Sequence, residues 1–225
     1  MPNCPNCSAE YKSSFFGSNR PYNQQAIECI HAFTDSTAAG YCEACGYTLV
    51  EKARSNARAA RLNFQQIVQQ NLPEVPILSL QAPASWQFHP LALVSGQSVT
   101  GTGVFSEFAS SWTDFFGAQS GSYNQKIANG ENLCRTQLRM KCLELGGNAI
   151  LATDIDYAEV GGDKGMLMVC MAGTAVRLDD TSVLGAEVAA SLVALSKALE
   201  DRKALAKYQA FVDGSTNLLA DIPTA

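Results

Sequence analysis

Apolar and polar positions follow four different rhythms along this chain. Positions 1–48 keep no steady period: two Cys-x-x-Cys pairs sit among prolines, glycines, asparagines and serines, a turn-rich composition. From Val50 to Leu72 the rhythm becomes helical. Ala53, Ala57, Ala60, Phe64 and Ile67 recur at alternating steps of four and three, the stripe of a helix that packs on a partner. Arg54, Arg58 and Arg61 run beside it as a basic stripe. Pro73 and Pro76 end the helix, because proline disfavours helical geometry in the residue before it.

Beyond the prolines the period shortens. Trp86–Val94 and Ser98–Phe105 read as strands separated by a turn at Ser95-Gly96, with Gly101 and Gly103 marking a bulge in the second run. Ser110–Tyr123 reads as a loop. A helix follows, with Cys134, Leu138, Cys142 and Leu145 in one stripe and a left-handed cap at Gly146-Gly147. Ala149–Tyr157 is then a strand, Gly161–Gly165 a hairpin loop and Met166–Leu178 the returning strand. That run is apolar on both faces, which predicts cover on both sides. Finally Ser182 to about Tyr208 reads as an amphipathic helix, with Val188, Leu192, Leu195 and Leu199 on one face. The expected organisation is a cysteine module at 1–48, a linker helix at 49–75, a main domain at 76–178 and a C-terminal amphipathic helix at 182–212.

Composition narrows the class. The chain has 225 residues, enough for one sizeable core and a small satellite. Only 16% of residues are charged against 47% hydrophobic, which suggests that another subunit covers part of the surface. No signal peptide is read at the start and no run of apolar residues reaches membrane-spanning length. Eight cysteines in such a chain point to a reducing compartment, so the expected location is the cytoplasm and the expected use of paired thiols is metal ligation.

Cys4-Pro-Asn-Cys7 and Cys42-Glu-Ala-Cys45 each aim two sulfurs the same way, and two such turns complete a tetrahedral site. The expectation is a structural Zn²⁺ held by Cys4, Cys7, Cys42 and Cys45 in a ribbon with an extended loop. Ser8 stands where a glycine often follows such a turn. A redox role would need a strand before and a helix after a pair, a context the sequence does not offer. Cys29 and His31, between the pairs, read as packing or loop residues. Cys134, Cys142 and Cys170 read as small hydrophobes of the core.

A resemblance adds to this reading. Gly101–Val104, the aromatic stretch Trp112–Tyr123, Leu145–Ile150, Asp154–Tyr157 and Met166–Val176 together are similar to the YbjQ-like family in order and spacing. The resemblance implies a small β-α-β-β domain, dodecin-like in arrangement, that closes into a homopentameric ring. Asn129-Gly130 departs from the family pattern and predicts a helix that starts late or kinks. The whole chain is therefore expected to be α+β: an N-terminal zinc ribbon, a linker helix, the ring-forming domain and a C-terminal helix.

Family members carry a heavy-metal-binding label, which draws attention to Asp154 and Asp156. Two apart on a strand, their carboxylates share one face, and a ring would gather them into a cluster fit for a second cation. A solvated acidic face is the simpler explanation. No phosphate-binding glycine loop, dinucleotide fingerprint or Ser-His-Asp arrangement is present, so no enzyme is expected. The favoured function is a non-enzymatic ring-forming scaffold or ligand-binding protein whose ribbon meets a protein partner. A metal-sensing ring is one alternative. Nucleic-acid binding through the ribbon and Arg54, Arg58 and Arg61 is another, weighed down by six basic against six acidic residues within 1–75.

Overall fold

The computed structural model describes residues 3–14, 17–81, 83, 85–99, 123–160 and 166–222. Two compact units result, Met1–Gln65 with Leu199–Ala225, and Gln66–Ala198. The expected Gly101–Gly103 bulge, most of the aromatic loop and the Gly161–Gly165 hairpin tip lie outside the described residues.

In the first unit, β1 (Lys12–Ser14) and β2 (Gly17–Asn19) form a short antiparallel hairpin. Helix α1 (Gln24–Phe33) starts where the Asn23 side chain accepts the Ala26 amide at 2.9 Å, satisfying one orphan donor of the first turn. Helix α2 runs from Glu43 to Asn71. It begins earlier than the expected Val50, because the second cysteine pair turns directly into its first turn. Tyr22, Ala26, Cys29, Ile30, Tyr41, Val50 and Ala53 form a buried core. Two members of that core come from the far end of the chain: Phe211, on the short α5 (Gln209–Val212), and Leu218.

In the second unit, β3 (Phe88–Val99), β4 (Ala149–Val160) and β5 (Met166–Leu178) make an antiparallel sheet in the order β3-β5-β4. Helix α3 (Tyr123–Glu144) covers one face. Val94, Ile150, Val169, Met171 and Ala175 meet Cys134, Leu138 and Cys142 there. Residues 76–80 run along the first half of β4, where the Ile150 amide donates to the Pro76 carbonyl and the Leu78 amide to that of Ile150, both at 2.9 Å. Helix α4 (Ala186–Ala206) follows a 3₁₀ turn at Thr181–Leu184 and buries Leu192, Leu195 and Ala198. It starts four residues later than expected, since Gly185 at φ 93° breaks the helical path. Among the described residues no helix is long and apolar enough to cross a membrane.

Three local expectations change. The turn expected at Ser95-Gly96 does not form, and β3 passes straight through it. Gly96 is there because α3 comes close: a Cβ would sit 2.6 Å from the Cys134 carbonyl oxygen and 2.8 Å from Leu138 Cδ1. The break expected at Asn129-Gly130 is also absent, because Gly130 likewise admits close packing, with a Cβ landing 3.2 Å from Val169 Cγ2. The cap at Gly146 forms as expected. Its φ is 78°, its amide donates to Leu143 and that of Gly147 to Cys142, at 3.0 and 2.8 Å, the paired bonds of a Schellman motif. Third, β5 is covered along its whole length on the α3 face, but on the other face only at its C-terminal end, where Val176 and Leu178 pack with Ala149, Leu151, Leu78, Trp86 and Leu184. Leu167, Val169, Met171, Gly173 and Ala175 are buried, while Met166, Met168, Cys170, Ala172 and Thr174 stay half-buried.

Gly96→Ala is therefore expected to destabilise the second unit by about 1–3 kcal/mol, the ordinary cost of overpacking. A lowered thermal midpoint followed by circular dichroism checks this, and an unchanged midpoint contradicts it.

Candidate metal centre

The first cysteine pair is shaped by a tight turn. The Ser8 amide donates to the Cys4 carbonyl and the Cys4 amide to the Ala9 carbonyl, both at 2.8 Å. Ser8 takes φ 60°, the left-handed conformation that glycine would adopt without strain. The second pair opens α2. Cys42 immediately precedes its first helical residue, and the Gly46 amide donates to the Cys42 carbonyl at 2.8 Å. A helix N-terminus favours negative charge on the neighbouring thiols. Gly46 has no room for a side chain, since a Cβ would meet the Tyr22 ring at 2.5 Å.

Folding brings all four expected cysteines together. Their sulfurs lie within 4.8 Å of one another. Cys4 to Cys45 and Cys7 to Cys42 are each 3.6 Å apart, and Cys42 to Cys45 is 3.7 Å. A tetrahedral ion with metal–sulfur bonds of about 2.3 Å would space its sulfurs at about 3.8 Å. The donor set therefore fits a metal ion. Cys4 and Cys42 are buried, Cys45 is half-buried and Cys7 is exposed.

Charge is distributed unevenly over the thiols. Burial pushes the Cys4 thiol up, but the Cys7 and Asn6 amides and the neighbouring sulfurs outweigh it and bring it down to about 7. At Cys7 the Ala9 amide lowers the pKa, yet local desolvation and the other three sulfurs push it up to about 12. Four thiols in so small a volume cannot all ionise without a cation. A metal ion relieves the repulsion and displaces their protons.

Three supporting residues were not singled out from the sequence. Tyr11 is buried against Cys4 and Cys42 and is hydrogen-bonded to the Cys4 sulfur, with burial first among the causes that push its hydroxyl up to about 12. The Asn19 side chain, also buried, donates to the Glu10 carbonyl at 2.9 Å and accepts the Ala44 amide at 3.2 Å. It thereby ties the hairpin to the first turn of α2. Glu43 adds a second tie, accepting the Arg20 amide at 2.6 Å and the Ser18 hydroxyl at 2.7 Å. Burial opposes its ionisation, but those donors hold the carboxyl below its usual value.

The remaining candidates lie elsewhere. Cys29 is in the core, and burial raises its thiol to about 11. The ring of His31 meets the Ala38 carbonyl at 3.0 Å. Cys134 and Cys142 donate to the Val169 and Ala149 carbonyls, each at 3.3 Å. Asp154 and Asp156 are exposed on β4, opposite Ala172 and Cys170 of β5. Among the described residues they join no third donor.

The arginine stripe is engaged within its own unit. Arg54 donates to the Phe211 carbonyl at 3.3 Å and stacks over the Phe211 ring at 5.4 Å. Arg58 reaches the Val212 carbonyl at 3.5 Å, and Arg61 lies 4.0 Å from Asp213. These cations meet the carbonyl end of α5, where positive charge is favoured.

Comparison with known proteins bears on the second unit. A family model described as "Putative heavy-metal-binding" (YbjQ) matches residues 87–179. A UPF0145 protein of Listeria grayi is 37% identical over 84 residues, which is 37% of this chain and 79% of that protein. A crystal structure from Pediococcus pentosaceus, of a protein of unknown function in the DUF74 family, aligns at a TM-score of 0.30 with 17% identity. That alignment covers 46% of this chain and 96% of the other.

Proposed function

This chain belongs to the YbjQ-like family, and from that premise we propose that it is a non-enzymatic, ring-forming cytoplasmic scaffold carrying one structural zinc ion per chain. Copies of residues 87–179 associate into a homopentamer, and the four-cysteine unit presents a surface for a protein partner on each subunit. Repeating a weak contact around a ring raises its strength by avidity.

The observation that carries the reading is the side of the sheet away from α3, which is open except where Leu78, Trp86 and Leu184 pack on Ala149, Leu151, Val176 and Leu178. Among the described residues β3 has no strand on its outer edge. The face away from α3 leaves Leu93 at 76% and Val99 at 37% exposure beside the half-buried Met168 and Cys170. An unpaired strand edge next to an apolar face is a template for association. For the metal, a four-thiolate tetrahedron with no open position is the usual environment of a structural zinc.

Leu93→Glu is expected to dissociate the ring into smaller species without unfolding the subunit, because the position is solvent-exposed in the single chain. Sedimentation velocity reads this directly. A variant that keeps the wild-type sedimentation coefficient contradicts assembly through this face.

A second reading, a ring that binds a further metal ion, draws on one observation. Asp156 stands directly across from Cys170 on the same open face. Asp154→Asn/Asp156→Asn tests it through metal content: a loss of metal beyond one ion per chain supports that site, and unchanged content removes it. Arg54 and Arg58 already bind the Phe211 and Val212 carbonyls and Arg61 faces the Asp213 carboxylate, which speaks for a structural role over contact with phosphates.

A further inference from the structure

We propose that residues 209–222 form a strap whose docking on the four-cysteine unit is coupled to metal occupancy. The inference rests on the metal reading given above. The strap has little structure of its own: a four-residue helix and then an extended tail. A helix that short does not persist in water without tertiary contacts, so docking alone keeps the strap ordered.

The docking site is built in layers that begin at the metal. Cys42 is bridged to Pro21, and the Tyr22 amide donates to the Tyr41 carbonyl at 2.9 Å. Residues 21–23 therefore lie against the segment that carries Cys42. The strap pairs with those same residues. The Asn23 amide donates to the Leu218 carbonyl at 2.8 Å, the Ala220 amide to the Pro21 carbonyl at 2.9 Å, and the Asn23 side chain to the Asn217 carbonyl at 2.7 Å.

Side chains repeat this coupling. Tyr41, adjacent to Cys42, shares a core with Phe211 and Leu218, and Ile222 packs on Cys4, Tyr11 and Cys42. A metal ion that fixes Cys42 thus fixes the row of donors and acceptors that the strap uses. Without it, no covalent or coordinate bond joins the Cys4–Cys7 turn to the Cys42–Cys45 turn, and the segment that carries Cys42 is held only by its packing and hydrogen bonds. Because such coupling is reciprocal, the docked strap must also raise the affinity for metal.

The test uses the full-length protein, zinc-loaded or stripped by a chelator, with metal content measured on each sample. Hydrogen exchange is followed in peptides spanning 209–222 and in peptides of β4 and β5. Removing zinc is expected to speed exchange in the strap by about tenfold or more, within the usual range of coupling, and to leave the sheet peptides unchanged. Ile222→Ser, which trims a contact at the cysteines, is expected to weaken zinc binding about fivefold in competition with a chromophoric chelator. If zinc is bound and verifiably removed but strap exchange stays the same, the coupling is overturned and the metal reading survives. A protein that binds no zinc at all overturns both.

Discussion

Cys42→Ser is expected to abolish metal binding and unfold the first unit, while the sheet of the second unit stays folded. Cys42 is fully buried, and its sulfur lies 3.6 Å from that of Cys7 and 3.7 Å from that of Cys45. A serine hydroxyl is shorter and does not ionise, so it supplies neither the bond length nor the charge of a thiolate ligand. Structural zinc contributes about 10–16 kcal/mol to small domains of this kind. The apolar cluster around Tyr22, Ile30, Tyr41 and Phe211 offsets only part of such a loss, because whole domains are stable by no more than about 5–15 kcal/mol. Metal analysis and hydrogen exchange check the outcome together. A variant that retains a full equivalent of zinc, or loses it with no change in residues 3–65, contradicts the account.

Leu138→Ala is expected to destabilise the second unit by about 2–5 kcal/mol, the range for deleting a buried leucine. Leu138 is fully buried in the middle of α3 and packs among Val94, Ile150, Val169 and Met171. Its Cδ1 also fills space in front of Gly96, so the cavity opens where helix and sheet approach most closely. Backbone on both sides limits collapse, which places the cost toward the upper end. Chemical denaturation of the variant reads it directly. A loss below about 1 kcal/mol would mean that α3 does not hold the sheet as described.

The two cysteine pairs were legible because their spacing alone announces converging sulfurs, and folding brings all four together. The α+β class, the span of β5 and the glycine cap at Gly146 were legible for a similar reason: each rests on a local pattern. What failed depended on a distant partner. Gly96 and Gly130 look like breakers in one dimension, yet each is small because another element packs against it. The apolar run of β5 predicts cover on two faces; α3 supplies one, and residues of the same chain cover the other only at Val176 and Leu178. Tyr11 and Asn19 carry no motif at all, since their roles arise from contacts with Cys4 and with the start of α2. The return of Phe211 and Leu218 to the cysteine-bearing unit joins segments about 190 residues apart. No periodicity could reveal it.

Native mass spectrometry of the intact protein tests the central claim most directly, because it counts subunits and metal ions at once. The expected result is a pentamer carrying one zinc ion per chain. A metal-free monomer would contradict both the ring and the zinc centre.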